Sequence, residues 1–284
     1  MITVSELAAE AVGSYLAEHI GRRFGSTEAR LTEIIPFAAR LALDCIGNSD
    51  ALYHNVEHTM LVTLAGHDIM KGRALLMPTS ASDFAHAIIA CLFHDIGYVR
   101  GILQGDGPDG YVINVNGDKK KLSRGSSDAA LLRHHVERSK LFVMDRLGDS
   151  DILDAARIAR AIEHTRFPPS SRPNEDTNEE GLLMRAADLI GQLGDPHYLR
   201  KANALYYEFE EVGMNRQLGY TSPADLTDQY PQFYWNSISP EIQVAIRYLN
   251  VTSSGRQWIA NLYSNVFRAE RELNLYGPQR SGRD

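Results

Sequence analysis

Apolar residues recur three and four positions apart along most of the chain, and that period predicts helices. Leu7, Ala11 and Tyr15 fall at i, i+4 and i+8, so a helix is expected from a cap at Ser5 through about residue 20. A second is expected over about 28–46 with a bend at Pro36, and a third over about 55–72 behind a cap at Asn55. Ser82 is placed to cap a fourth, in which Phe84, Ala87, Ile88, Cys91 and Leu92 lead down to His94. A fifth is expected from about Ser127 to Leu147, stopped by Gly148, and a sixth from Asp151 to the residues before Pro168-Pro169. The same reading gives a seventh helix over about 178–193, an eighth from Pro196 to about Val212, and a last stretch from Pro240 to about 274, broken at Ser253-Ser254-Gly255.

Residues 101–125 and 168–177 are rich in Gly, Pro, Asp, Asn and Ser and read as loops. Within the first, Tyr111–Val115 followed by Asn116-Gly117 has the pattern of a small hairpin. No repeat and no long linker divides the chain. The prediction is an all-α protein of one helical-bundle domain with long loops around its site. The metal-binding core is expected over about 50–195, with C-terminal helices in 196–274 packed on it.

The chain has 284 residues, 44% of them hydrophobic, which suffices for a sizeable core. Its formal charge is −7, and Lys119-Lys120-Lys121 with Arg124 is the one locally basic run, read as a solvated loop. Nucleic acid is therefore not an expected partner. A small phosphorylated substrate remains compatible with the acidic balance, because bound metal can supply positive charge. Cys45 and Cys91 sit in apolar stretches and read as buried thiols. With no signal-peptide pattern and no run of about 18 apolar residues, a cytoplasmic protein without a membrane span is expected. The oligomeric state is left open.

The chemistry lies in the histidines and in the carboxylates near them. His94-Asp95 ends an apolar helix. His54 and His58 stand four apart, with Asn55 as a cap between them; His58 can point into the bundle while His54 projects from its mouth. His164 follows Ile158, Ala161 and Ile162 near a helix end, and Asp188 interrupts the apolar run Ala186–Ile190. A buried carboxylate is unfavourable unless paired or metal-bound. His135 falls on the apolar stripe Leu132, Val136, Ser139, Phe142, with His134 as its rival. Imidazole and carboxylate together suit zinc, iron or manganese, and separate helices of a bundle can build such a centre. His19, His67, His86 and His197 lack partners in this pattern and read as packing or surface residues. The tyrosines between 198 and 234 read as core.

The order His58, His94-Asp95, His135, His164, Asp188 resembles that of the HD superfamily of metal-dependent phosphohydrolases. Tyr53-His54-Asn55-x-x-His58-Thr59 is also similar to the opening motif of cyclic-nucleotide phosphodiesterases. The resemblance implies an HD-type helical fold. It implies a first metal held by His58, His94, Asp95 and Asp188, with Asp95 bridging to a second metal completed by His135 and His164. One or two divalent ions (Fe, Mn or Zn, with Mg a candidate for the second position) would activate water against a phosphoester, and His54 would protonate the leaving group. The substrate would be a small phosphorylated molecule, a nucleotide among the candidates. Tyr98 stands where many HD enzymes carry a lysine, and no purine-reading clamp is identified. The same ligands also occur in HD-type diiron oxygenases, and HD domains that sense nucleotides without catalysis are a third class.

Overall fold

The computed structural model describes residues 2–25, 29–166 and 178–276, without side-chain detail for 273–276. The expected all-α architecture is what it shows. Helix α1 (Val4–Phe24) packs along α2 (Ala29–Ile46), which continues through Pro36. Helix α3 (Val56–Leu76) lies between α4 (Ala81–Phe93) and α7 (Glu179–Leu193), and α5 (His135–Leu147) packs on α6 (Ala155–Glu163). Helix α4 is apolar around nearly its whole circumference, which suits a central helix; it touches α2, α3, α6 and α7, and Phe84 to Phe93 are buried except Ala87.

Three starts differ from expectation because a better cap lies nearby. Thr3 rather than Ser5 caps α1 through a reciprocal box with Glu6, and Ser80 rather than Ser82 caps α4 with Asp83. Asp154 rather than Asp151 caps α6, because the Ser150 hydroxyl accepts from the amides of Ile152 and Leu153 and holds the preceding turn. The fifth helix is not continuous from Ser127. A 3₁₀ turn, Asp128–Leu131, runs into i to i+3 bonds up to His134, and α-bonding starts with Arg138 N to His134 O. The loop 101–125 carries the expected hairpin as strands β1 (Tyr111–Val112) and β2 (Lys119–Lys120), with Tyr111 opposite Lys120. The loop expected at 168–177 and the Pro168-Pro169 stop lie outside the described residues.

The C-terminal third is more broken than its sequence pattern predicts. Helix α8 (Tyr198–Glu211) is followed by α9 (Met214–Leu218), α10 (Pro223–Asp228), α11 (Tyr230–Phe233), a π-helical turn (Tyr234–Ile238), α12 (Ser239–Glu241) and α13 (Gln243–Leu249). The final break falls at 250–252, and Ser253-Ser254-Gly255 starts α14 (Ser253–Tyr276), because Thr252 Oγ1 accepts from the Gly255 amide. Helices α13 and α14 both pack on α3 and α7. Among the described residues, no helix is long and apolar enough to cross a membrane.

Candidate metal centre

Two helix ends and one helix interior deliver the central side chains. Asn55 accepts from the amides of Glu57 and His58, at 3.0 and 3.3 Å, which starts α3 and fixes His58 in its first turn. His94 is the residue after α4. At Asp95 the backbone leaves the helix (φ −105°, ψ 2°), so its carboxylate can turn to the same side as the His94 ring. Asp188 comes from the middle of α7.

Their atoms converge. His58 Nε2 and His94 Nε2 lie 3.2 and 3.1 Å from Asp95 Oδ2, and each lies 3.5 Å from Asp188 Oδ1. Ligands bound at about 2.1 Å to one ion are themselves about 3.0–3.4 Å apart in octahedral or tetrahedral geometry, so these separations fit a shared cation. Burial opposes charge on each group, but mutual attraction overrides it: the His94 pKa is raised, and those of Asp95 and Asp188 are lowered. His58 Nδ1 and Nε2, His94 Nε2 and Asp95 Oδ2 are buried with no hydrogen-bond partner among the described residues. Buried polar atoms are normally satisfied, and a divalent ion would satisfy the inward-facing ones. The residues therefore fit a metal.

His135, not its rival His134, faces this cluster. Its Nδ1 donates to Leu132 O at 2.5 Å, and its Nε2 lies 3.6 Å from Asp95 Oδ1. Burial outweighs the Asp95 charge and pushes its pKa down to about 4, so the ring is neutral at pH 7 and presents a lone pair to a carboxylate. Burial, aided by the nearby charges of Lys120, Arg138 and Arg133, lowers the pKa of His134. His164 lines the same cavity as Asp95, His135 and Asp188. Among the described residues it belongs to neither close ligand group, His54–His58–Asp95 or His58–His94–Asp188. Its ring instead packs on Gly181 of α7, where an added Cβ would come within 2.2 Å of the imidazole.

His54 is held at the mouth. Its Nδ1 lies 2.5 Å from Glu208 Oε2, while Glu208 Oε1 accepts from the amides of Tyr53 and His54 at 2.6 and 3.2 Å. Burial would lower the imidazolium pKa, but the charges of Glu208 and Asp95 carry it up to about 9. Tyr98 lies with its ring nearly parallel to those of His54 and His135, at 4.6 and 4.4 Å. Tyr98 thus packs inside the site.

Glu208 was not foreseen. It lies 154 residues from its partner, in a run, Glu208-Phe209-Glu210-Glu211, that reads as an exposed helix face. The clamp behind the His-Asp segment was missed as well. Buried Arg138 donates to the carbonyls of Gly97, Val99 and Val112 and pairs with Asp106 at 2.9 Å. Ser139 Oγ accepts from Gly97 N and donates to His94 O. A Cβ at Gly97 would lie 1.9 Å from His135 O, so only glycine allows this approach. Glu57 pairs with Lys201, and Glu163 with Lys140 and Arg166, so both act as ion-pair partners outside the cluster. Lys119 to Arg124 do not line the cavity beside the cluster.

A family model described as Npun_R2479-like matches residues 2–272. Comparison with curated proteins gave no match, and neither did comparison with solved structures.

Proposed function

The chain belongs to the Npun_R2479-like family, and we propose that it is a metal-dependent phosphohydrolase whose centre is built on His58, His94, Asp95 and Asp188. The observation that carries this reading is the convergence of two imidazoles and two carboxylates, from three helices, onto distances that fit a common cation. His135, opposite Asp95 Oδ1, is positioned to help hold a second ion. The imidazole and carboxylate donors suit Fe, Mn or Zn. Bound there, a divalent ion would lower the pKa of water and offset phosphoryl charge.

The chain's own part is to orient and to move a proton. Water oxygen bonds to phosphorus, the ester P–O bond breaks, and the alcohol oxygen needs a proton as it leaves. His54 supports that role: Glu208 fixes its Nδ1, and the ring reaches within 4.8 Å of His58 and Asp95 ligand atoms. A general acid of this kind contributes roughly 10²–10⁴-fold. This acid favours hydrolysis over the oxygenase chemistry that similar ligand sets support, since oxygen activation does not need it.

The test is metal analysis followed by turnover of paired esters. His54→Ala is expected to retain metal, to lose roughly 10²–10⁴-fold on alkyl phosphates, and to lose far less on p-nitrophenyl phosphate, whose leaving group needs no proton. Equal losses on both would remove His54 as acid. Oxygen uptake coupled to turnover would replace hydrolysis with oxygenation.

A further inference from the structure

The cluster opens on one side into a cavity of about 540 Å³, within the range that holds drug-sized ligands. The charged groups near its metal-facing end are held in ion pairs. His54 is bound to Glu208, Arg166 to Glu163, and Arg185 to Glu241. Beyond them the wall is aliphatic and aromatic: Leu189 and Leu193 from α7, Leu205 and Phe209 from α8, Leu226 from α10 and Tyr230 from α11. The exposed polar residues Asn236 and Ser237 lie in the π-helical turn. Tyr230 is 1% exposed, and its hydroxyl is buried with no hydrogen-bond partner among the described residues.

We propose, building on the phosphohydrolase reading, that the substrate is the phosphoester of a bulky, mainly apolar alcohol, alkyl or aryl in character. Its phosphoryl group meets the metal cluster, and its organic part fills the wall between α7 and α8–α11. A sugar would set its hydroxyls against the leucines and Phe209 of the wall, and a second phosphate would have to compete with Glu163 and Glu241 for the arginines. An apolar group removes water from surface that otherwise faces it. Hydrolysis adds water across the P–O bond and returns the apolar alcohol and the phosphate.

The test separates binding from chemistry. Methyl-, butyl-, hexyl- and octylphosphonate, which have no ester bond to cleave, are titrated calorimetrically into metal-loaded protein, with AMP as the polar comparator. Affinity is expected to rise by up to roughly fourfold per methylene, from about 0.8 kcal/mol for each buried CH₂, until the cavity is filled. Leu218→Asp, at a cavity-lining position that is 39% exposed and so tolerant of change, is expected to cut the octyl-to-methyl affinity ratio at least tenfold. A flat chain-length series, or AMP binding as tightly as octylphosphonate, would overturn the proposal. A steep series with no hydrolysis of octyl phosphate under any metal would instead overturn the phosphohydrolase reading and leave the apolar ligand standing.

Discussion

His67-Asp68-Ile69 in the middle of α3 and His94-Asp95-Ile96 at the end of α4 are the same tripeptide, buried in neighbouring helices. One is packing and the other is the heart of the candidate centre. In α3, successive side chains diverge by about 100°, and His67 Nδ1 stands 3.6 Å from Asp68 Oδ1, against 3.1 Å between His94 Nε2 and Asp95 Oδ2. The His67 ring lies against Tyr15, His19 and Phe84, while Asp68 takes hydrogen bonds from Ser254 Oγ at 2.7 Å and Trp258 Nε1 at 3.0 Å. At the end of α4 the chain turns out of the helix, and Asp95 comes round to meet His94, His58 and His135. Both sites contain imidazole nitrogens without hydrogen-bond partners among the described residues, so an orphaned nitrogen alone does not mark a metal site. The carboxylates separate the two: both Asp68 oxygens are satisfied, and Asp95 Oδ2 is not.

The sharpest way to break this comparison is substitution at both tripeptides. His94→Ala and Asp95→Ala are expected to weaken metal binding by more than roughly 100-fold, beyond the loss typical of outer partners. His67→Ala and Asp68→Ala should keep the wild-type metal content, measured by elemental analysis after dialysis. Metal loss in Asp68→Ala would end the distinction. Next in size is Arg138→Met, which leaves Asp106 buried without its cation and releases the Gly97–Val99 carbonyls. A loss of about 3–5 kcal/mol in denaturant unfolding is expected, with weaker metal affinity because the His-Asp segment is no longer clamped.

Asp68→Asn should cost less, about 1–3 kcal/mol for the altered bonds to Ser254 and Trp258, with metal content unchanged. The smallest effect is a pH baseline away from both tripeptides. Burial tends to raise the Asp83 pKa, but Arg157 and Ser80 hold it down at about 2, against 3.8 for a free carboxyl. Its stabilising contribution is therefore complete above about pH 4 and is lost as pH falls toward 2. Asp83→Asn should flatten the dependence of Tm on pH in that window and leave it unchanged at neutrality.

How far the sequence could be read follows the same division. His58, His94, Asp95 and Asp188 were legible because each stands out within an apolar helix or at its end, where a buried polar group needs a reason. The helices themselves were legible where the apolar period ran for three turns or more. Residues 213–238 were not, because their helices have only four to six residues, too short to show an apolar period, and several of their apolar side chains line the cavity. Glu208 and Arg138 were hidden for another reason: their partners, His54 and Asp106, are supplied by other segments, and no local period points to them. The cavity wall was hidden too, since tyrosines and leucines there carry the same signature as core.

His94 and His135 share one small detail, an Nδ1 hydrogen bond to the carbonyl three residues earlier, Cys91 in one case and Leu132 in the other. A carbonyl only accepts, so each neutral ring must carry its proton on Nδ1 and keep Nε2 bare. His135, held neutral by burial, thus meets an incoming ion with its Nε2 lone pair already aimed, whereas His94, whose charged form Asp95 and Asp188 favour, must first give up its Nε2 proton; neither ring has to flip.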